Sequence, residues 1–174
     1  MKTEKEKVIL VDKENNKIGV MWKLEAHQKG LLHRAFSIFL FNERGELLLQ
    51  QRAKEKYHCW ELWTNTVCSH QRDWESTIDA ARRRIIEEMW FWCNSLEIID
   101  HIIYKKSFDN GLTEHEYDYV LIWKYSGEEI KPNPDEVMDY KWISLKDLNN
   151  EIKNFPDKYT VWMKIIMEKG IFNK

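Results

Sequence analysis

The stretch ESTIDAARRRIIEEM, residues 75–89, constrains this chain more than any other. Ser76, followed three residues later by Asp79, is a helix start signal, and Ile78, Ala81, Ile85 and Met89 recur at helical spacing along one face. The remaining surface is charged, with Arg83, Arg84, Glu87 and Glu88 close together. A helix with one apolar face must lay that face on another element. The apolar runs on either side of it are short and punctuated by turns, so the partner it requires is a sheet.

Those runs can be placed one by one. VILVD (8–12) and KIGVM (17–21) predict a hairpin around ENN. HRAFSIFLFN (33–42) and ELLLQQR (46–52), joined by ERGE, predict a second hairpin. WTNTV (63–67) is a short strand. LEIIDHIIYKK (96–106) and EHEYDYVLIWKY (114–125) are strands around FDNG, and VMDYKWIS (137–144) is a further one. LKDLNNEIK and TVWMKIIMEKG close the chain as helices. Strands through the middle with helices after them make the class α/β or α+β. A length of 174 residues, 43% hydrophobic, suits one domain with a real core over 1–174: a core at about 31–168 and an N-terminal hairpin over 7–22.

The net charge of −2 gives no electrostatic reason to bind nucleic acid. No stretch approaches the ~20 apolar residues of a membrane span. The start, MKTEKEKVILVDKENN, has only a four-residue apolar run and is not expected to be a signal peptide. Three cysteines, Cys59, Cys68 and Cys93, are too few and too oddly numbered for a disulfide framework. The expectation is a reduced, cytoplasmic protein.

Several residue groups carry chemistry. Glu75, Glu87 and Glu88 near a loop–helix junction suit Mg²⁺ that bridges diphosphate oxygens. The same charges would also make a solvated helix face with Arg83–Glu87 and Arg84–Glu88 pairs. In TNTVCSH (64–70), Cys68 stands two residues before His70; its thiol is a metal ligand, a nucleophile, a proton carrier or core. His27 and His33 precede the first core strand, and Glu114 and Glu116 share one strand face with His115 opposite. Three imidazoles and two carboxylates would suit Mn²⁺, Mg²⁺ or Zn²⁺. Arg52 and Lys56 are either ordinary surface charge or an anion grip. Tyr104 and Trp162 are packing residues, unless a cationic intermediate uses the indole face.

Residues 69–91, SHQRDWESTIDAARRRIIEEMWF, resemble the Nudix box. Glu75, Glu87 and Glu88 fall on its acidic positions and Arg83 on its arginine. Three positions depart from it: Ser69 replaces the first glycine, Arg84 the glutamate after the arginine, and Trp90 the last glycine. An arginine there adds positive charge where Nudix hydrolases assemble a metal cluster. It points to a site that grips diphosphate without cleaving it.

Further segments extend the likeness: KLEAHQKGLLHRAFSIFLFNERGELLLQQRA (23–53), LWTNTVCSH (62–70), EHEYDYV (114–120), PDEVMDYKWIS (134–144) and VWMK (161–164). Together they resemble the type 1 isopentenyl-diphosphate isomerases, the metal-dependent, flavin-independent branch of the Nudix superfamily. The resemblance implies a Nudix fold, with a mixed β-sheet sandwiched between helices. It implies an enzyme of isoprenoid biosynthesis that moves a carbon–carbon double bond, interconverting isopentenyl and dimethylallyl diphosphate. By the same resemblance, Cys68 is the acid/base on one face of the substrate and Glu116, assisted by Tyr104, its counterpart on the other. His27, His33, His70, Glu114 and Glu116 would hold one divalent ion, Mn²⁺, Zn²⁺ or Mg²⁺. Glu88 would hold a second, Mg²⁺, that travels with the diphosphate. Lys23, Arg52, Lys56 and Arg84 resemble the diphosphate contacts, and Trp162 the indole that faces the tertiary carbocation. The expected partner is a small prenyl diphosphate, not a nucleic acid or a membrane. Two rivals stay open: a Nudix pyrophosphohydrolase, which would release phosphate, and a non-catalytic metal-binding module, in which Cys68→Ala would change no activity.

The chain has nine tryptophans and six glycines, where average usage gives roughly 12 glycines. Trp74 and Trp90 stand at family glycine positions in and beside the box. Trp60 lies in a turn where relatives carry glycine or Pro-Gly, Trp123 resembles a family glycine, and Trp92 and Trp22 join the set. Trp63, Trp142 and Trp162 match family tryptophans. The expectation is that the gene writes glycine as UGA, read here as tryptophan, with backbone strain at Trp60, Trp74, Trp90 and Trp123.

Overall fold

The computed structural model describes residues 6–54, 56, 59–93 and 95–173. In chain order the elements are β1 (Lys7–Val11), β2 (Lys17–Trp22), α1 (Lys23–Lys29), β3 (His33–Phe41), β4 (Glu46–Arg52), β5 (Trp63–Thr64), β6 (Val67–Ser69), α2 (Thr77–Met89), β7 (Glu97–Ser107), β8 (Thr113–Lys124), β9 (Val137–Ser144), α3 (Leu145–Asn154) and α4 (Val161–Glu168). The strands form one mixed sheet. Alternation along them divides the core. Phe36, Ile38, Leu40 and Leu48 pack with Ala80, Ala81, Ile85 and Met89 of α2. Phe39, Leu47 and Leu49 pack on the other face with Leu148 of α3 and Trp162, Met163 and Ile166 of α4. Each such aliphatic or aromatic side chain contributes about 1.5–3 kcal/mol when fully buried. The result is an α+β sandwich, as the Nudix resemblance implied.

The helix expected at 75–89 begins at Thr77, with Ser76 as its N-cap accepting from the Asp79 N–H at 3.1 Å. The first hairpin forms with Ile9 opposite Val20, and β7 and β8 pair antiparallel around residues 108–112. β3 runs parallel to β8 and sets His33 beside Glu116. No helix among the described residues is long and apolar enough to cross a membrane.

Two expectations need correction, and a third element was not foreseen. β3 and β4 do not make a paired hairpin: they meet only at Phe41 and Leu47 and then diverge, β4 pairing with β9 along its length. The Thr66 hydroxyl wedges the fork open. It accepts from the Leu40 N–H at 3.0 Å and donates to the Leu48 carbonyl at 2.7 Å, taking up groups a hairpin ladder would have used. Into the fork comes β6, whose Cys68 stands opposite Ser37 of β3. The strand expected at 63–67 is therefore two strands, β5 and β6, hinged at Asn65 and Thr66. KLEAHQK, given no element from sequence, is α1, closed by Gly30 in the left-handed conformation (φ 60°).

The tryptophans separate into two sets. Trp162 is 3% exposed, and Trp63 and Trp142 pack against the core. Trp60, Trp74, Trp90 and Trp92 are exposed, Trp74 to 80%. Trp123 is buried against Phe91. Among these positions only Trp90 carries the strain expected, at φ 59° where α2 ends. Trp60, Trp74 and Trp123 are not left-handed; Cys59 (φ 51°) and Glu61 (φ 61°), on either side of Trp60, are.

Candidate active site

One cavity of about 1120 Å³ collects most of the residues singled out from sequence. The start of α1, the fork between β3 and β4, the end of α2, the paired ends of β7 and β8 and the first turn of α4 all reach it.

At one end His70 lines the cavity, and the buried rings of His27 and His33 pack behind it. Helical i,i+4 spacing stacks Lys23 and His27 on α1, and His27 Nδ1 lies 2.7 Å from the Lys23 carbonyl. His33 Nδ1 lies 2.8 Å from the Leu31 carbonyl. With Nδ1–H donating, each ring presents its Nε2 lone pair inward. His33 Nε2 is buried, makes no hydrogen bond, and stands 3.6 Å from Glu116 Oε1. His70 Nε2 is 2.9 Å from the same oxygen, and its buried Nδ1 has no partner. Ligand atoms of His27, His33, His70 and Glu116 all lie within 4.8 Å of one another. Burial, then the neighbouring imidazole His33, holds His27 down at about 3. Burial, then the Lys23 charge, holds His70 down at about 4. The unpartnered buried nitrogens of His33 and His70, beside His27 and the Glu116 carboxylate, fit a divalent cation.

Glu114 stands next to this group rather than in it. The Tyr104 hydroxyl lies 2.7 Å from Glu116 Oε2 and 3.1 Å from Glu114 Oε2, so its single proton is shared between two buried carboxylates. Burial pushes the Glu114 carboxyl well up. Burial pushes Glu116 the same way, but the His33 and His70 rings that face it outweigh that and hold it well below the ordinary range. His115 points to the other strand face and bonds the Gly30 carbonyl at 3.0 Å, as alternation required.

Cys68 lies across the cavity on β6. Burial pushes its thiol up to about 12, against the nearby Arg52 charge, so it stays protonated at neutral pH. Arg52 Nη1 is 3.6 Å from its sulfur. The residues before it build the wall. Trp162 Nε1 donates to Thr64 Oγ1 at 2.9 Å and Asn65 Oδ1 at 3.1 Å, while Asn65 Nδ2 donates to the Val67 carbonyl at 2.8 Å. The indole is thereby held beside the cavity, with the Arg52 guanidinium 5.4 Å from the ring centre.

The other end is charged and internally paired. Lys23 meets Glu6 at 3.3 Å. Lys56 bonds Glu136. Arg84 reaches Glu87 at 2.7 Å, bonds Glu88, and lies 3.5 Å from Glu136. Glu88 is buried and also accepts from Gln50 Nε2 at 2.9 Å. Burial lowers Arg84, but Glu88, Glu136 and Glu87 outweigh it and raise its affinity for protons. Arg52 is aimed by the left-handed turn: its Nε donates to the Cys59 carbonyl at 3.1 Å and its N–H to the Leu62 carbonyl at 3.0 Å. Glu75 serves Arg83 instead, at 2.7 and 2.9 Å, and is not part of the cavity wall. Both helix-face pairs expected from spacing, Arg83–Glu87 and Arg84–Glu88, form.

Sequence reasoning did not single out Glu6, Gln50, Thr64, Asn65 or Glu136. Thr64 and Asn65 lay in the quoted TNTVCSH, where a dense run of hydrogen-bonding side chains inside an apolar frame was the available signal. Glu136 lay in PDEVMDYKWIS and carries no spacing that marks it.

The NUDIX domain family matches residues 31–163. A protein of Photorhabdus laumondii named isopentenyl-diphosphate Delta-isomerase 2 is 51% identical over 160 residues, covering 92% of this chain and 89% of its own. Isopentenyl-diphosphate Delta-isomerase 2 of Aromatoleum aromaticum is 43% identical, covering 95% and 87%. The fold is similar to that of a Deinococcus radiodurans crystal structure, with a TM-score of 0.77 at 16% identity over 94% of this chain and 98% of that one. It is also similar to a MutT protein from Methanosarcina mazei, with a TM-score of 0.66 at 17% identity over 79% and 91%.

Proposed function

The chain belongs to the isopentenyl-diphosphate Delta-isomerases of the NUDIX family, and from that premise we propose how its cavity interconverts isopentenyl and dimethylallyl diphosphate. A proton is added to the terminal carbon of the double bond. Positive charge falls on the adjacent tertiary carbon, and a proton leaves the carbon on its far side, so the bond moves and the formula is unchanged. Cys68 and Glu116 are the two proton carriers, one on each side of the substrate. The observation that carries this reading is their placement in one cavity: a protonated thiol in the fork, and a carboxylate that shares a hydroxyl with Glu114 through Tyr104.

The Trp162 face stands where it can stabilise the tertiary cation, by about 0.5–2 kcal/mol for an indole. Its ring is already held by Thr64 and Asn65 and needs no reorganisation. Walls from Phe36, Ala35 and Trp162 exclude the water that would otherwise trap the cation. Lys23, Arg52, Lys56 and Arg84 bind the diphosphate. His27, His33, His70 and Glu116, with Glu114 beside them, would hold one divalent ion, Mn²⁺, Zn²⁺ or Mg²⁺, and Glu88 a Mg²⁺ that arrives with the diphosphate. Bound there, the first ion supplies positive charge that tunes the proton affinity of Glu116. Three free cysteines support a reduced, cytoplasmic setting.

Hydrolysis is the weaker reading. At the box position where hydrolases carry a metal-binding glutamate, Arg84 lies across Glu87 and Glu88. The test is purified protein with isopentenyl diphosphate and Mg²⁺, with and without Mn²⁺ or Zn²⁺. Acid-labile allylic product is expected; inorganic phosphate without allylic product would overturn the isomerase reading.

A further inference from the structure

Glu136 is one of the carboxylates at the charged end, with Glu6 and Glu87, that the proposed chemistry does not use, and of these it alone contacts both Lys56 and Arg84. It sits in the turn ahead of β9, and its main chain is tied on both sides. Its N–H donates to the Asn133 carbonyl at 3.0 Å and its carbonyl accepts from the Ala53 N–H at 3.0 Å. Asn133 is itself fixed to the end of α2, through the Glu88 carbonyl at 2.8 Å and the Glu87 carbonyl at 3.1 Å. The turn therefore spans the chain just past β4, which leads into the loop that carries Lys56, and the end of α2, the helix that carries Arg84. The Glu136 side chain, 15% exposed, points between these two cations and contacts both.

We propose that Glu136 is a positioning residue for substrate binding: it holds the Lys56 ammonium and the Arg84 guanidinium at one spacing, so that a diphosphate meets a preformed two-pronged grip. The inference rests on the reading above that this end of the cavity takes the diphosphate. Lysine carries a flexible four-carbon stem, and a stem already pinned has less freedom to lose when an anion binds. Burial would raise the Glu136 carboxyl, but Lys56 and Arg84 outweigh it and keep it ionised. The bland alternative is an ion pair that serves stability alone.

The test compares Glu136→Ala, Glu136→Asp and Glu136→Gln in the full chain. The readouts are thermal unfolding, calorimetric binding of inorganic diphosphate with Mg²⁺, and steady-state kinetics on isopentenyl diphosphate. Glu136→Ala should weaken diphosphate binding and raise KM by about tenfold, with kcat within about threefold of wild type. Glu136→Asp keeps the charge but draws it back by one methylene, so it should move KM in the same direction and gives the answer if the alanine variant does not fold. Glu136→Gln keeps the shape and still accepts from both cations, and should restore KM to within about threefold of wild type. Unchanged or tighter binding in a folded alanine or aspartate variant would overturn the proposal, as would a glutamine variant as weak as alanine. Wild-type protein that binds inorganic diphosphate but does not isomerise would sink the isomerase reading alone. Normal turnover with indifferent variants would sink only the role of Glu136.

Discussion

Behind one end of the cavity, His33 Nε2 and His70 Nδ1 are buried without hydrogen-bond partners among the described residues. At the other, Lys23, Lys56 and Arg84 each already hold a carboxylate. The first end is incomplete: burial disfavours charge on His27 and His70, and buried ring nitrogens are left over for a cation. The second is held in place before any ligand arrives, and a ligand meets cations whose positions carboxylates have already set. The difference teaches which kind of effect to expect from each end. Damage to the unsatisfied end should appear in the chemical step and in metal content. Damage to the satisfied end should appear in binding. Arg52 is where the ends touch, since one side chain approaches both the Cys68 sulfur and the Trp162 ring.

The strongest way to break this comparison is on β8. Glu116→Gln should lower kcat by about a thousandfold or more and reduce bound divalent metal, because Glu116 faces His33, His70 and Tyr104 together. His115→Ala, one residue away on the opposite strand face, should stay within about twofold of wild type. Kinetics with metal analysis checks both, and equal damage would contradict the division of faces.

Next come the two cations expected from sequence to act alike, which the structure separates. Lys56→Ala should raise KM about tenfold and leave kcat nearly unchanged, since it meets only the unreacting end of the substrate. Arg52→Ala should raise KM and lower kcat as well, because it also lies on Cys68. A pure kcat defect in Lys56→Ala would contradict the account.

A smaller effect concerns pH. Burial first, then neighbouring charge, holds His27 at about 3 and His70 at about 4, against about 6.5 in an unfolded chain. As pH falls below about 6.5 the unfolded chain takes up protons that the folded chain refuses, so metal-free protein should lose stability from about pH 6.5 down toward pH 4. Glu114 and Asp118, raised by burial, work in the opposite sense, against three lowered histidines, His27, His70 and His115. Urea midpoints of chelated protein at pH 7 and pH 5 measure this; a higher midpoint at pH 5 would contradict it.

The smallest effect lies outside both ends. Trp90→Gly should stabilise by about 1 kcal/mol, because a bulky residue there holds a left-handed conformation that glycine adopts freely. Trp74→Gly, exposed and not left-handed, should give no such gain. Thermal unfolding of the two variants separates them. We also propose that codons 74 and 90 are UGA; UGG at both would end that idea.

The fold was legible where one local signal decides it. The α2 cap, its apolar line and the alternation of β8 needed no distant partner to be read. The fork between β3 and β4 was not legible, because it depends on a hydroxyl 26 residues from Leu40 that takes the place of ladder bonds. α1 was missed because seven residues give barely two turns of pattern, although Lys23 and His27 at i,i+4 were in view. Within the cavity, the residue types suited to holding a metal or a proton stood out from sequence. The residues that aim them did not: Asn65, Thr64 and Glu136 act through geometry assembled from separate elements.

The division between the two ends is tested most directly by measuring binding and turnover side by side in Cys68→Ala and Lys56→Ala, with isopentenyl diphosphate, Mg²⁺ and metal analysis of each protein. The account predicts that Cys68→Ala folds, keeps its metal and binds substrate within about threefold of wild type while its turnover is abolished, and that Lys56→Ala binds about tenfold more weakly yet turns over at nearly the wild-type rate at saturation. Loss of metal or of substrate binding in Cys68→Ala would contradict it.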